Sequence, residues 1–477
     1  MRHVLLLVAA LASAALATPV PASAQSTPRI DTSGLATVSA HDQFIVQFRE
    51  GTPAQRDIAQ MQSVLDRAAA SAGVTLVHVR RMATGAEVIR ASRKLDPAAA
   101  TALMQALAAD PAVEYIEVDS VHAPLWVPND ARYSEQWALK EASAYGIHAE
   151  RAWDLADGKG MVVAVVDSGV LPHADLPTLL PGYDFVSDVL SAADGDGRDA
   201  DPTDPGDARI EAECGEGMHA MSSTWHGTKV ASVIGAVTHN AKGVAGVARA
   251  ASIVPVRVTG KCGGTTSDIA DAIIWAAGGP VPGVPENVHP AVVVNLSVGV
   301  EPACGPTMQR AVNMAGEIGT TLVAAAGNDG SDLGDLSPAS CNNLIVVAAS
   351  TEQGIPAWFS NRGVQVDLAA PGEHILTASN DGKTQAVSDS YAYSDGTSFA
   401  APMVAGVVAL MQSVAFGPTL LAPDEIEDLL KQTATPFSRT PPMYGVGILH
   451  ATRAVEAAMR PTIASPIYEA ILGADEL

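Results

Sequence analysis

The chain has 477 residues, long enough for more than one packed domain, and carries 28 Lys and Arg against 52 Asp and Glu for a formal net charge of -24. Most of that acidity lies in residues 125–477, which excludes a protein that grips the phosphate backbone of nucleic acid by charge. Beyond the N-terminal segment no apolar run is long enough to span a bilayer, so the chain reads as a soluble exported protein with no membrane partner.

At the N-terminus Arg2 and His3 precede the apolar run Val4 to Ala17, and Ala22-Ser23-Ala24 offers a small-residue cleavage site, so residues 1–24 are predicted to be a secretory signal. The expected location is extracellular or periplasmic. Residues 25–41 are small and polar and read as a linker. A compact unit follows. Gln43 to Phe48 alternates like a strand, Ala54 to Ala72 has helical spacing, and Val74 to Arg81 and Ala86 to Ala91 are two further strands. Asp96 to Ala109 forms a second helix and Val113 to Val118 closes the unit in β-α-β-β-α-β order, a small α+β domain with its helices on one face.

From about Gly146 to Met459 short Val/Ile/Ala strands alternate with helical patterns. Strands are predicted at 162–166, 253–258, 291–296, 321–326 and 344–348, and helices at 226–237, 267–277, 306–318, 398–414, 424–433 and 451–459. Continuous apolar strands imply a mostly parallel sheet buried on both faces, hence a three-layer α/β/α domain with its site at the carboxyl ends of the strands. The tail 461–477 has no evident role. Four cysteines in an exported chain favour two disulfides with three possible pairings. Cys214–Cys262 with Cys304–Cys341 is the expected set, because each pair ties neighbouring loops.

Three segments carry chemistry. Asp167 ends the apolar run Val162 to Val166, His226-Gly227-Thr228 opens a helix, and Ser398 lies in Asp395-Gly-Thr-Ser-Phe-Ala-Ala-Pro402. A serine hydroxyl needs a base to become a nucleophile, and an imidazole base needs a carboxylate to fix its tautomer. Singly, each residue is an ordinary strand end, helix start or helix cap. In the order Asp, His, Ser they form a specific combination, and the chain resembles the subtilisin-like serine proteases (subtilases) in their secreted bacterial form.

The resemblance implies a serine endopeptidase that cleaves proteins or peptides through an acyl-enzyme. It makes residues 25–124 a linker and inhibitory propeptide, which is a partner of its own enzyme as intramolecular chaperone and inhibitor. Maturation then falls near residues 120–128, and residues 125–460 are a monomeric catalytic domain. Asn328, in Ala326-Gly327-Asn328, becomes an oxyanion donor beside the Ser398 backbone N–H. Ser297, Val298 and Gly299 would pair with substrate, with Ala326 and Gly327 as another pocket wall and Leu336 and Pro338 near its base.

Calcium is the implied cofactor. The loop Asp194, Asp196, Asp199, Asp201, Asp204, Asp207 is rich in the hard oxygen ligands and glycines that a cation wants, although it lacks an EF-hand's spacing and departs from the shorter family pattern. A solvated acidic loop is the other reading. By resemblance, Asp130, Asp175, Asn240 and Val244 form a second site, with Lys242 an unusual positive charge beside it. A catalytically inert peptide-binding relative would keep the fold and lose the chemistry, which the joint presence of Asp167, His226, Asn328 and Ser398 opposes. An α/β-hydrolase esterase would show Gly-x-Ser-x-Gly and the order Ser, Asp, His, and neither is found around Ser398.

Overall fold

The computed structural model describes residues 29–36, 40–120, 126–176, 179–299, 303–334, 336–415, 419–439 and 443–459. The expected signal (1–24), part of the maturation zone (121–125) and the tail (461–477) lie outside the described residues. The chain divides into two compact units, Met1–Ala123 and Pro124–Leu477.

The first unit holds a five-stranded sheet. Four strands follow the predicted pattern: His41–Phe48, Leu76–Arg81, Glu87–Leu95 and Val113–Val118. Helices Ile58–Ala72 and Pro97–Ala108 start where Asp57 and Asp96 accept hydrogen bonds from Gln60 N and Ala99 N, the ordinary way to satisfy orphan donors. Their apolar faces bury Met61, Leu65, Leu103 and Leu107 against Phe44, Val46 and Ile116 of the sheet. One element departs from expectation. Arg29–Asp31, inside the segment read as linker, is a strand pairing parallel with Val113–Val118. Three residues are too few to show alternation, and only the partner strand reveals them.

The second unit is built on a seven-stranded sheet whose paired strands all run parallel. From edge to edge its strands are Leu368–Pro371, Ile345–Ser350, Thr321–Ala325, Val293–Leu296, Val162–Asp167, Ser252–Arg257 and Tyr183–Asp184. The predicted strands form its centre, and the two short edge strands are additions. Val163 and Val165 enter one core with Val230, Ile234, Val404 and Val408, while Ala164 and Val166 enter the other with Ile269, Ile273, Met308 and Val312. That period of two places helices on both faces, giving the three-layer architecture. Helix Thr397–Ser413 is buried from Thr397 through Gln412, so its Ala, Gly and Val residues reflect close packing on every side. Both expected disulfides, Cys214–Cys262 and Cys304–Cys341, are formed. Among the described residues no helix is long and apolar enough to cross a membrane.

Candidate active site

Asp167 sits at the carboxyl end of a central strand and is 1% exposed. Its Oδ1 accepts from Ser168 N and from His226 Nδ1, both at 2.7 Å. His226 is the first residue of helix His226–Gly235, entered through a left-handed Trp225 whose buried indole donates to Gly382 O at 2.8 Å. Gly227 has a steric reason: a Cβ there would lie 2.2 Å from the Gly169 carbonyl oxygen. Burial disfavours the charged imidazole, but the charge and hydrogen bond of Asp167 outweigh it, so the His226 pKa is raised above its ordinary value. An imidazole held this way keeps Nε2 as its working nitrogen.

Ser398 lies in the first turn of the buried helix, 8% exposed, after Gly396 at φ +150. The His226 and Phe399 rings are 5.8 Å apart, which places the two helix starts side by side. Among the described residues the Ser398 hydroxyl donates to Ser297 O at 3.4 Å, and no hydrogen bond closes the Ser398–His226 leg. Asn328 follows the strand Thr321–Ala325 and is exposed. Its Oδ1 accepts from Thr397 N at 2.8 Å and Thr397 Oγ1 at 3.0 Å, which fixes the amide's orientation and leaves Nδ2 as the donor end. Thr397 Oγ1 in turn accepts from Gly327 N at 3.0 Å.

Residues 158–447 match the model of the subtilase family. This chain belongs to the subtilase family. It is 50% identical over 435 residues to an extracellular protease of Xanthomonas campestris pv. campestris, covering 89% of this chain and 74% of that protein. It is 41% identical over 443 residues to an extracellular basic protease of Dichelobacter nodosus, covering 89% and 73%. A solved protease structure from Pseudoalteromonas arctica superposes with a TM-score of 0.68 at 48% identity, covering 70% of this chain and all 100% of that one.

In this subtilase the segment after strand Val293–Leu296 lies against the serine helix. Ser297 Oγ accepts from Asn295 Nδ2 at 2.9 Å and donates to Ser398 O at 3.0 Å. Val298 packs on the core below. Cβ atoms built on Gly299 and Gly327 would meet Leu336 Cδ2 at 3.2 and 2.6 Å, so these two glycines and Leu336 border one space. Ala326 is fully buried, its N–H on Val347 O at 3.0 Å, and Ser337-Pro338 is a cis peptide. The expected substrate-side residues are therefore gathered, with Ala326 behind the surface.

The two expected calcium sites differ. In the acidic loop Asp194 is ion-paired with buried Arg257, Asp196 is exposed, and Asp199 and Asp201 accept from Asp201 N (2.7 Å) and Thr203 N (3.1 Å). Asp194 thus meets arginine, Asp199 and Asp201 cap their own turns, and Asp196 is exposed. Among the described residues no group of three or more His, Cys, Asp or Glu is gathered for a metal. The second set does converge. Asp130 accepts from His239 N at 2.8 Å and Asn240 N at 3.3 Å. Asp175, fully buried, accepts from Asn240 Nδ2 at 2.8 Å and from Val244 N and the Tyr391 hydroxyl at 2.9 Å. The loop between carries positive φ at His239, Ala241 and Gly243.

Sequence patterns assign no catalytic role to three residues of the site: Thr397, Ser168 and Asp204. Thr397 stands in the serine motif, and a hydroxyl before the nucleophile is its only signal. Ser168 and Asp204 become visible only through burial and hydrogen bonding.

Proposed function

We propose that this subtilase is a secreted serine endopeptidase made as a self-processing zymogen. The 2.7 Å bond between His226 Nδ1 and Asp167 Oδ1, one helix start away from Ser398, is the observation that carries this reading. His226 Nε2 takes the Ser398 proton as Oγ bonds to the peptide carbonyl carbon and the carbonyl electron pair moves onto oxygen. Asn328 Nδ2 and the Ser398 N–H, which the first helical turn leaves without an intrahelical acceptor, donate to that oxyanion. The intermediate collapses, and His226 returns the proton to the departing amine. Water then attacks the ester with its proton taken by His226, and the acid product leaves with Ser398 restored. The serine must turn from Ser297 O toward His226 for the first step.

Residues 1–24 serve as signal and 25–124 as linker and inhibitory propeptide, with the α+β unit acting as chaperone and inhibitor of the monomeric 125–460 domain. Relatives named extracellular proteases support export. A calcium ion fits the Asp130, Asp175, Asn240 and Val244 site, where two buried carboxylates make no ion pair among the described residues and the loop adopts costly left-handed turns. There it would stabilise the fold and take no part in bond cleavage. Chelation should then lower the melting temperature, and an unchanged value would reject the site.

The Ser398 hydrogen bond to Ser297 O favours a second reading, an inert peptide-binding relative. Intact mass and casein hydrolysis of wild type beside Ser398→Ala separate the two. Loss of the N-terminal unit and hydrolysis in wild type alone support the protease; an inert wild type supports the binder.

A further inference from the structure

A buried carboxylate that the catalytic steps do not use stands behind the triad. Asp204 is 2% exposed and lies in the acidic loop. Its Oδ1 accepts from Gly206 N at 2.8 Å and its Oδ2 from Ser168 Oγ at 2.9 Å. Ser168 Oγ accepts from Gly227 N at 3.0 Å, and Ser168 N donates to Asp167 Oδ1 at 2.7 Å. Ser168 and Gly227 are the residues that directly follow Asp167 and His226. Ser168 therefore touches both sides of the pair, through its N–H on Asp167 and its hydroxyl on the backbone after His226, and Asp204 holds that hydroxyl.

The packing leaves this chain little slack. Val170 N donates to Pro202 O at 3.1 Å. A Cβ on Gly169 would sit 2.6 Å from Pro202 O and 2.9 Å from Asp204 N. The loop thus presses on the turn after Asp167, and that turn presses on Gly227.

We propose that Asp204 is a positioning residue for the Asp167–His226 pair, acting through the hydroxyl of Ser168. A serine hydroxyl has one proton and two lone pairs. An ionised Asp204 can only accept, so it takes the Ser168 proton and turns a lone pair toward Gly227 N–H. Once Asp204 is protonated or replaced by Asn, it can donate. The Ser168 hydroxyl is then no longer held as a donor to Asp204, and its orientation toward the Gly227 N–H is no longer fixed.

Burial pushes the Asp204 carboxyl up to about 7, against the hydrogen bonds from Gly206 and Ser168. The charged groups acting on it are Asp207, which raises it, and Arg257, which lowers it. Lys229 and Asp207 act on His226 from its own helix and from the loop. The His226 pKa is likewise raised above its ordinary value, so both ionisations bear on the acid limb and both must be complete for full turnover.

The inference rests on the protease reading, and its test keeps the two apart. Wild type, Asp204→Asn, Ser168→Ala and the double variant are assayed on casein and on a peptide p-nitroanilide from pH 5 to 9, with melting temperature as the check on folding. Expected are ~10–100-fold losses of kcat in each single variant with KM little changed. The double variant should be no worse than the worse single one, since both cut the same chain. The acid limb of kcat should report two ionisations in wild type and one in Asp204→Asn. If wild type cleaves and a folded single variant keeps its kcat and pH profile, or the losses multiply, the positioning role is overturned. If Asp204→Asn does not fold, Ser168→Ala decides alone by the same kcat and KM readings. An inert wild type overturns the protease reading and this inference together.

Discussion

Pro402 lies one helical turn after Ser398 and has no amide hydrogen to give the Ser398 carbonyl, which accepts the Ser297 hydroxyl at 3.0 Å instead. A proline inside a buried helix is ordinarily a defect. Here the freed acceptor ties the nucleophile's backbone to the substrate-side segment Asn295–Gly299. Helix propensity alone predicts that Pro402→Ala stabilises the protein, by up to ~3 kcal/mol. The same variant should lose turnover, because the backbone N–H that the substitution introduces competes with Ser297 for the same oxygen. Ser297→Ala should lose about 1–3 kcal/mol from the orphaned buried groups. Urea unfolding and kcat on one peptide substrate check both.

The Asp167–His226 pair gives activity and stability opposite pH trends. The raised His226 pKa means that the base becomes neutral only above the ordinary imidazole range, so the acid limb of kcat/KM lies above ~6.5. For stability, a raised folded-state pKa contributes fully below the unfolded value and is lost as pH rises through the folded one. Asp167→Asn should lower kcat by ~10⁴-fold, the magnitude established for this change in chymotrypsin-type enzymes, and move the limb to lower pH. An unmoved limb would contradict the assignment.

Asn328 and Thr397 should fail in graded fashion. Asn328→Ala removes the donor and should cost ~10²–10³-fold in kcat, the magnitude established on subtilisin itself. Thr397→Val keeps the shape but removes the hydroxyl that orients the amide, so a smaller loss of kcat at unchanged KM is expected. Equal losses would mean that Thr397 acts on more than the amide.

What can be read from the sequence, and what cannot, divides along physical lines. The order Asp167, His226, Ser398 and the strand-end or helix-start placement of each depend on local patterns, so they are readable. Continuous apolar strands mark the centre of the sheet for the same reason. Tyr183–Asp184 and Leu368–Pro371 escape such patterns because short edge strands are defined by their partners. Asp204 looks like its acidic neighbours, since composition cannot tell a buried carboxylate from a solvated one. In the same way composition leaves Asp194 open as a cation ligand or a solvated carboxylate, and only the fold shows its pairing with Arg257.

Two histidines outside the site set an acid limit. His148 and His450 stack with centroids 4.4 Å apart, and burial with the neighbouring His148 lowers the His450 pKa to about 3. A depressed folded-state value contributes stability above the unfolded pKa and loses it as pH falls toward the folded one. Melting temperature should therefore drop between about pH 6.5 and 3. His450→Asn, which keeps a capping acceptor for Arg453 N, should flatten that drop; an equally steep curve would exclude the pair as its source.

Everything proposed for the site depends on Ser398 being a nucleophile activated by Asp167 and His226. Labelling with phenylmethylsulfonyl fluoride at pH 8, followed by peptide mass mapping, reads that activation at the residue itself. A single adduct on Ser398 is expected in wild type, and it should disappear in His226→Ala. No adduct on Ser398, or equal labelling in the folded His226→Ala variant, would contradict the assignment.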